Sequence, residues 1–201
     1  MFTRILLPTG FATLIAWSSA AHADTWTIDP AHSAANFRVR HLMVANVNGT
    51  FGAPTGTINL DEKDITKSTI ETEVDASKVN TGIEKRDEHL RSADFFDAKK
   101  FPKLTFKSKN LAKAGDGLKV VGDLTIHGVT KEVTFDVDGP TPPIKGMQGE
   151  PVRGLTATTK INRKDFGLVW NKAIEGGGVL VGEDVTISIE LELHGPKKPA
   201  E

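Results

Sequence analysis

Residues 185–193 read Val-Thr-Ile-Ser-Ile-Glu-Leu-Glu-Leu, a stretch in which apolar and polar side chains alternate without a break. Successive side chains of a β-strand point to opposite faces, so this segment is predicted to form a strand with one apolar face and one polar face. A polar outer face is typical of an antiparallel sheet that is wetted on one side. It is not typical of a parallel sheet that helices cover on both sides.

The same alternation recurs through most of the chain and is clear in residues 33–42 and 67–78. Turn residues such as Asn48-Gly49 and His127-Gly128 separate the runs. Further strand-like runs cover residues 44–52, 55–60, 103–109, 118–126, 131–138 and 155–161. Eight or nine strands in one domain must close or stack to hide their edges. The pattern therefore predicts an all-β barrel or sandwich.

One segment, residues 82–97, breaks the strand pattern. Thr81 and Glu84 have the spacing of a capping box, and good helix formers follow them. These features predict a helix that crosses between two strands. The aromatic side chains after the helix suit either a lid over an opening or a plug that completes the core.

The first 23 residues have the three parts of a secretory signal peptide. They combine a basic start, an apolar stretch too short to span a bilayer, and small residues at Ala21 and Ala23. We therefore expect cleavage after Ala23, a periplasmic protein, and no membrane segment in the mature chain. The mature chain is predicted to form one domain over residues 24–195, with a disordered polar tail at 196–201.

The composition excludes several classes of site. Lys and Arg number 25 and Asp and Glu number 26 in 201 residues, so there is no basic surface of the kind that binds nucleic acid. Cysteine is absent, which removes disulfides, thiolate metal sites, iron–sulfur clusters and cysteine nucleophiles. We expect no cofactor.

The residue types of an acyl-transfer triad occur together at Asp29, His32 and Ser33. Three residues within five positions cannot readily align a nucleophile, a base and an orienting acid, so we interpret them as a turn before a long strand. The mature histidines lack the spacing of a zinc-protease site. We therefore expect neither a catalytic site nor a metal site.

Ten Phe and no Tyr give the protein an interior rich in purely apolar rings. A closed sheet of about eight strands is just wide enough either to fill with side chains or to hold one small ligand. Periodicity alone does not choose between a filled core and a cavity.

Five motifs, taken in order, resemble those of the YceI-like proteins, and they span nearly the whole mature chain. The motifs are Asp29-x-x-His32-Ser33 with Phe37-x-Val39-x-His41-Leu42, Arg86-Asp87-x-His89-Leu90 with Asp94-Phe95-Phe96-Asp97, residues 122–130, Asn162-Arg163-x-Asp165-Phe166-Gly167, and residues 181–185.

This resemblance implies an extended, lipocalin-like antiparallel barrel of eight strands with a helical crossover near residues 82–97. It implies a periplasmic protein, often dimeric, that holds a polyisoprenoid, an isoprenoid quinone or a similar long amphiphile and has no catalytic residues. It also implies an association with stress responses. Some family members are found beside b-type membrane cytochromes, which makes such a cytochrome a candidate partner.

Within such a barrel, the residues on the buried strand faces are expected to line the lumen, although plain core packing would place them equally well. They are Phe37, Val39, Phe106, Leu124, Ile126, Phe135, Ile187 and Ile189. A polar or pyrophosphate head group would need donors at a mouth, and guanidinium groups suit phosphate oxygens. The candidates are His41, Arg86, His89, Arg91 and Arg163, which could equally form a structural network that ties the helix to the barrel.

The sequence also leaves two other functions open. One is an interaction protein with a solid core that acts through its surface in stress protection. The other is a lipid hydrolase or isomerase that uses the neighbourhood of Asp29, His32 and His89. The lack of recognisable catalytic spacing favours lipid binding over the enzyme, and the family resemblance favours it over the interaction protein.

Overall fold

The computed structural model describes residues 23–175 and 177–197. The predicted signal peptide lies outside the described residues except for Ala23, and so does the predicted tail beyond Lys197. The strands are β1 (Asp24–Ile28), β2 (Ala34–His41), β3 (Ala45–Thr50), β4 (Thr55–Leu60), β5 (Thr69–Asp75), β6 (Lys103–Ala114), β7 (Gly117–Ile126), β8 (Val129–Asp138), β9 (Ile144–Lys145), β10 (Pro151–Asn162) and β11 (Val181–His194). The helix α1 spans Glu84–Arg91.

Eight strands form a closed ring in the order β11-β1-β4-β5-β6-β7-β8-β10, and β10 pairs back onto β11. Neighbouring strands run antiparallel. Closure removes the unpaired edges that an open sheet would present. The predicted all-β, eight-stranded antiparallel barrel with a helical crossover is therefore confirmed.

The strand β11 is long enough to pair with two strands along the same edge. Its last residues pair with β1, whereas residues 181–190 pair with β2, which continues in the direction of β1 after a break at residues 29–33. The hairpin of β2 and β3 extends the wall beyond the closed ring. The register between β11 and β2 shifts between Val181 and Val185, so the wall carries a bulge there.

The alternation of residues 185–193 has the expected result. Leu191 and Leu193 are buried and Glu190 is exposed. Leu191 and Leu193 belong to a cluster with Trp26 and Ile58 at one end of the barrel. A second cluster, around Phe166, lies where β10 ends, and two more clusters contribute to the interior.

The helix is present, but the predicted capping box is wrong. The helix begins at Glu84 after Ile83, and no side chain caps it. Thr81 instead donates from its backbone N (2.9 Å) and its Oγ1 (2.5 Å) to Asp87, a carboxylate that is only 3% exposed. Glu84 pairs with Arg91. The helix starts three residues after Thr81, so Asp87, and not Glu84, is the acid that reaches back to it.

Among the described residues, no helix has the length and apolar character that crossing a membrane requires.

Candidate functional site

The barrel encloses a cavity of about 210 Å³. Its lining is almost entirely apolar and comes from strands on every side of the barrel and from the crossover segment. The polar or charged residues at its wall are Asn36, Thr72, Glu73, Thr105 and Arg163. Ligand pockets commonly measure roughly 300–1,000 Å³, so this cavity is smaller than most of them.

All eight residues predicted to line a lumen do line this cavity. They are Phe37, Val39, Phe106, Leu124, Ile126, Phe135, Ile187 and Ile189. The reason is the two-residue period, which sends alternate side chains of each strand to the interior. Whether these side chains touch a lipid stays a prediction.

Aromatic rings form much of the cavity wall. Phe106 and Phe135 lie edge to face with ring centroids 5.1 Å apart, and Phe51 meets Phe96 in the same way at 5.2 Å. Edge-to-face packing stabilises each pair and fixes the ring positions. The wall is therefore both apolar and well defined.

The crossover segment supplies part of the wall. Leu90, Phe95 and Phe96 line the cavity, and Leu90 and Phe96 also pack against a core cluster that contains Phe51 and Val79. The segment thus contributes to the core and to the cavity at once. The sequence had left a lid and a plug as equal alternatives, and neither describes this arrangement fully.

Several other lining residues were not singled out from the sequence. They include Ala35, Ile70, Val120, Val137, Ala157 and Ile161. The same two-residue alternation identifies them as interior side chains. The small size of Ala157 gives no sequence signal for a ligand, yet it leaves space inside the barrel.

Of the five head-group candidates, Arg163 lies at the cavity wall, in a turn of 3-10 helix (Arg163–Phe166) directly after β10. Asn162 caps this turn by accepting from the backbone N of Lys164, and Gly167 ends it in the left-handed conformation, with φ 78°.

The guanidinium of Arg163 contacts backbone carbonyls. It donates through Nε to the carbonyl of Gly182 (2.8 Å) and through Nη1 to that of Leu168. Gly182 lies in the bulge of β11, so the bulge brings one of these carbonyls to the arginine. Burial lowers the pKa of Arg163.

The other four candidates do not line the cavity. Arg86 donates from Nε to Thr81 Oγ1 at 2.7 Å and from Nη2 to the carbonyl of Thr81 at 2.9 Å. Arg91 pairs with Glu84 and extends toward the carbonyls of Ser77 and Val79.

The two histidines lie elsewhere. His89 lies 2.8 Å from Asp94 and stacks edge to face on Phe95 and Trp170, and His41 is half-buried at the end of β2. The contacts of Arg86, Arg91 and His89 tie the crossover together. A head-group role for these four residues stays a prediction.

The Asp29 neighbourhood lies at the break between β1 and β2. His32 Nδ1 is 2.5 Å from Asp29 and 3.6 Å from Glu192. The backbone N–H of Ala31, and then His32, lower the pKa of Asp29, while the hydrogen bond to Asp29 raises the pKa of His32. The three side chains are close enough for one atom of each to ligate an ion.

The triad reading fails on geometry. Ser33 is buried and its Oγ accepts from the backbone N of Glu192 at 3.0 Å. Among the hydrogen bonds of the described residues, none joins Ser33 to His32. A serine hydroxyl is activated by a base within hydrogen-bond reach, and the described residues place no such base on Ser33.

Comparison with known proteins adds the family context. A family model described as a YceI-like domain matches residues 26–193. A UPF0312 protein of Staphylococcus aureus strain MSSA476 is 40% identical over 167 residues, which cover 83% of this chain and 95% of that protein.

Solved structures share the fold. A YceI protein of Campylobacter jejuni is 31% identical with a TM-score of 0.66, covering 79% of this chain and 90% of that one. BcnA of Burkholderia cenocepacia has a TM-score of 0.68 at 22% identity, covering 82% and 98%. A structure described as a polyisoprenoid binding domain from Saccharophagus degradans has a TM-score of 0.61 at 17% identity, covering 85% and 98%. At these last two identities the likeness shows the fold alone.

Proposed function

The chain belongs to the YceI-like family, and from that premise we propose that it binds a polyisoprenoid, an isoprenoid quinone or a similar long-chain amphiphile in the barrel lumen. We propose that it serves as a binding or carrier protein in the periplasm, to which the leader-like residues 1–23 would direct it.

The observation that carries this proposal is the apolar cavity inside the barrel. Along β10, lining residues extend from Leu155 to Ile161, a span of roughly 20 Å at about 3.3 Å per residue. A cavity of this shape gains affinity from chain length, because each buried methylene contributes about 0.8 kcal/mol. Ten buried carbons contribute roughly 8 kcal/mol, against an association cost of about 4–15 kcal/mol. Only a long chain binds tightly by this route.

One structural neighbour supports the proposal by its description. The structural neighbour from Saccharophagus degradans is described as a polyisoprenoid binding domain, and it shares the barrel. The homodimer and the b-type cytochrome partner derive from the family resemblance alone, and they stay predictions.

The two other functions receive less support. A solid-core interaction protein does not account for a cavity whose wall is apolar on all sides. A hydrolase or isomerase would use Asp29, His32 and His89 together, but His32 contacts Asp29 whereas His89 contacts Asp94 in the crossover segment.

A titration of the mature protein with geraniol, farnesol and geranylgeraniol tests the proposal. These prenyl alcohols share a head group and differ in chain length. Isothermal titration calorimetry is expected to show affinity rising steeply with length, by about fourfold for each carbon that becomes buried, until the chain exceeds the lumen. Equal weak affinity for all three, or no binding, would contradict the proposal.

A further inference from the structure

Two histidines and three carboxylates meet on the outer wall of the barrel, at the break between β1 and β2. This Asp29 cluster consists of Asp29, His32, Glu150, Glu192 and His194. None of the five lines the cavity that the described residues enclose. His32 and His194 lie at opposite ends of the mature chain, so the local spacing from which no metal site was expected does not detect the cluster.

The backbone holds the cluster in place. Glu192 and His194 are two residues apart on β11, so their side chains share its outer face. Asp29 donates its backbone N–H to the carbonyl of Glu192 (2.9 Å), and Ser33 Oγ accepts from the backbone N–H of Glu192 (3.0 Å). The short segment that carries His32 is therefore fastened at both ends to one residue of β11.

Four side-chain atoms form a ring in which carboxylate oxygens alternate with imidazole nitrogens. Asp29 Oδ2 is 2.5 Å from His32 Nδ1 and 4.0 Å from His194 Nε2. Glu192 Oε1 is 3.6 Å from His32 Nδ1 and 3.0 Å from His194 Nε2. Ligand atoms of a tetrahedral Zn²⁺ lie about 2.0–2.1 Å from the ion and therefore about 3.3 Å from one another. The four distances lie on both sides of that value, so the ring has the dimensions of a set of metal ligands.

The fifth member, Glu150, has an oxygen that the ion pairs leave unexplained. Its side chain is 12% exposed, and its Oε1 lies 3.8 Å from His194 Nδ1. Its Oε2 is buried and has no hydrogen-bond partner among the described residues. A histidine that ligates a metal commonly donates its second ring N–H to a carboxylate, which fixes the tautomer and the orientation of the ring. With its Nδ1 directed to Glu150, His194 presents the lone pair of Nε2 to the ring of ligand atoms.

The cluster gathers negative charge without a matching lysine or arginine. Within the described residues, the salt bridges of Asp29, Glu150 and Glu192 involve only His32 and His194. With both imidazoles neutral, the three carboxylates have no positive group among these partners. Charges that are withdrawn from water are usually paired or coordinate a metal, so a divalent cation would supply what the cluster lacks.

We propose that the Asp29 cluster binds one Zn²⁺ or a chemically similar divalent transition-metal ion. The four ligands are Asp29, His32, Glu192 and His194, and Glu150 orients His194 behind them. Mixed imidazole and carboxylate donors suit Zn²⁺, whereas Ca²⁺ and Mg²⁺ prefer oxygen ligands alone. Metal ligands must be deprotonated, so the ion replaces the proton of the hydrogen bond between His32 and Asp29. It joins the break between β1 and β2 to the end of β11, outside the lumen and independently of lipid binding.

Titration of the mature protein, prepared without a polyhistidine tag, tests this site. Isothermal titration calorimetry is expected to show one Zn²⁺ per chain, with an affinity about 100-fold or more above that for Mg²⁺ or Ca²⁺. The melting temperature should rise with the Zn²⁺ concentration, because an ion that binds the folded chain stabilises it. No binding of Zn²⁺, or equal weak affinity for all three cations, would overturn the proposal.

Variants separate this site from chance binding at the surface. His32→Gln and His194→Gln each remove one imidazole and are expected to lower the Zn²⁺ affinity by about tenfold or more. Glu150→Gln should lower it by about tenfold through the loss of the carboxylate behind His194. The control is His127→Asn, which removes a histidine of the turn between β7 and β8 and keeps a residue that tolerates its φ of 52°. Equal affinity in all four variants would show an adventitious ion only and would overturn the proposal.

Two further readouts distinguish a metal site from a structural role of these side chains. Co²⁺ in place of Zn²⁺ is expected to give a visible spectrum typical of a four-coordinate ion, and Glu150→Gln should alter that spectrum while the circular dichroism stays unchanged. Prenyl alcohols should bind His32→Gln as they bind the unmodified protein, because the cluster lies outside the lumen. If His194→Gln does not fold, His32→Gln still decides, because the side chain of His32 is 66% exposed.

Discussion

Replacing Ala157 by phenylalanine is expected to abolish binding of long-chain ligands while the barrel stays folded. Ala157 lies on β10 opposite Val137 and Ile189, and it lines the middle of the cavity. A phenyl ring at this position would occupy a large part of a cavity of about 210 Å³ and block the path of a chain. We expect the affinity for geranylgeraniol to fall by about 100-fold or more, as several methylenes lose their burial.

The matched control is Thr158→Phe. Thr158 is the next residue on the same strand and is exposed, so its side chain points to the opposite face of the wall. The same ring on the outside should leave affinity within about twofold of the unmodified protein. Calorimetry measures both affinities, and circular dichroism checks that both variants are folded. Undiminished binding by a folded Ala157→Phe variant would place the ligand elsewhere.

Replacing Phe166 by alanine is expected to give the largest loss of stability among single substitutions in this part of the barrel. Phe166 is 2% exposed and packs in one cluster with Leu124, Ile126 and Leu168. Truncating a buried phenylalanine removes its transfer energy and leaves a void, which together lower the free energy of unfolding by about 3–5 kcal/mol. For a chain of this size the melting temperature should fall by roughly 10 °C or more.

Asp165→Ala is the control for that measurement. Asp165 lies in the same turn and is exposed, so its loss should change the free energy of unfolding by no more than about 0.5 kcal/mol. Urea unfolding followed by tryptophan fluorescence compares the three proteins. Equal stability of Phe166→Ala and the unmodified protein would show that this end of the barrel is not closely packed.

The strands and the lumen could be predicted because both depend on a local pattern. The alternation of residues 185–193 specifies which side chains face inward, and in a closed sheet inward means toward the lumen. The pattern gave no indication of β1, because Asp24–Ile28 has only one fully buried side chain, Trp26. The alternation also did not distinguish a lid from a plug in the crossover segment. That distinction depends on how the segment packs against distant strands, which the local pattern does not specify.

The location of Arg163 at the cavity wall could not be predicted from the sequence, for a different reason. Arg86, Arg91 and Arg163 all occur in family-like motifs and have the same chemistry. Only tertiary structure distinguishes them. Arg86 and Arg91 bond within the crossover, whereas the bulge at residues 181–185 brings carbonyls to Arg163 at the cavity wall. Long-range register of this kind has no local signature.

The most direct test of lipid binding is native mass spectrometry of the mature protein purified from its own periplasm, followed by organic extraction and identification of what is released. We expect one long-chain amphiphile per barrel, released when the protein is denatured. A ligand-free protein that also fails to take up added prenyl alcohols or prenyl phosphates would contradict it.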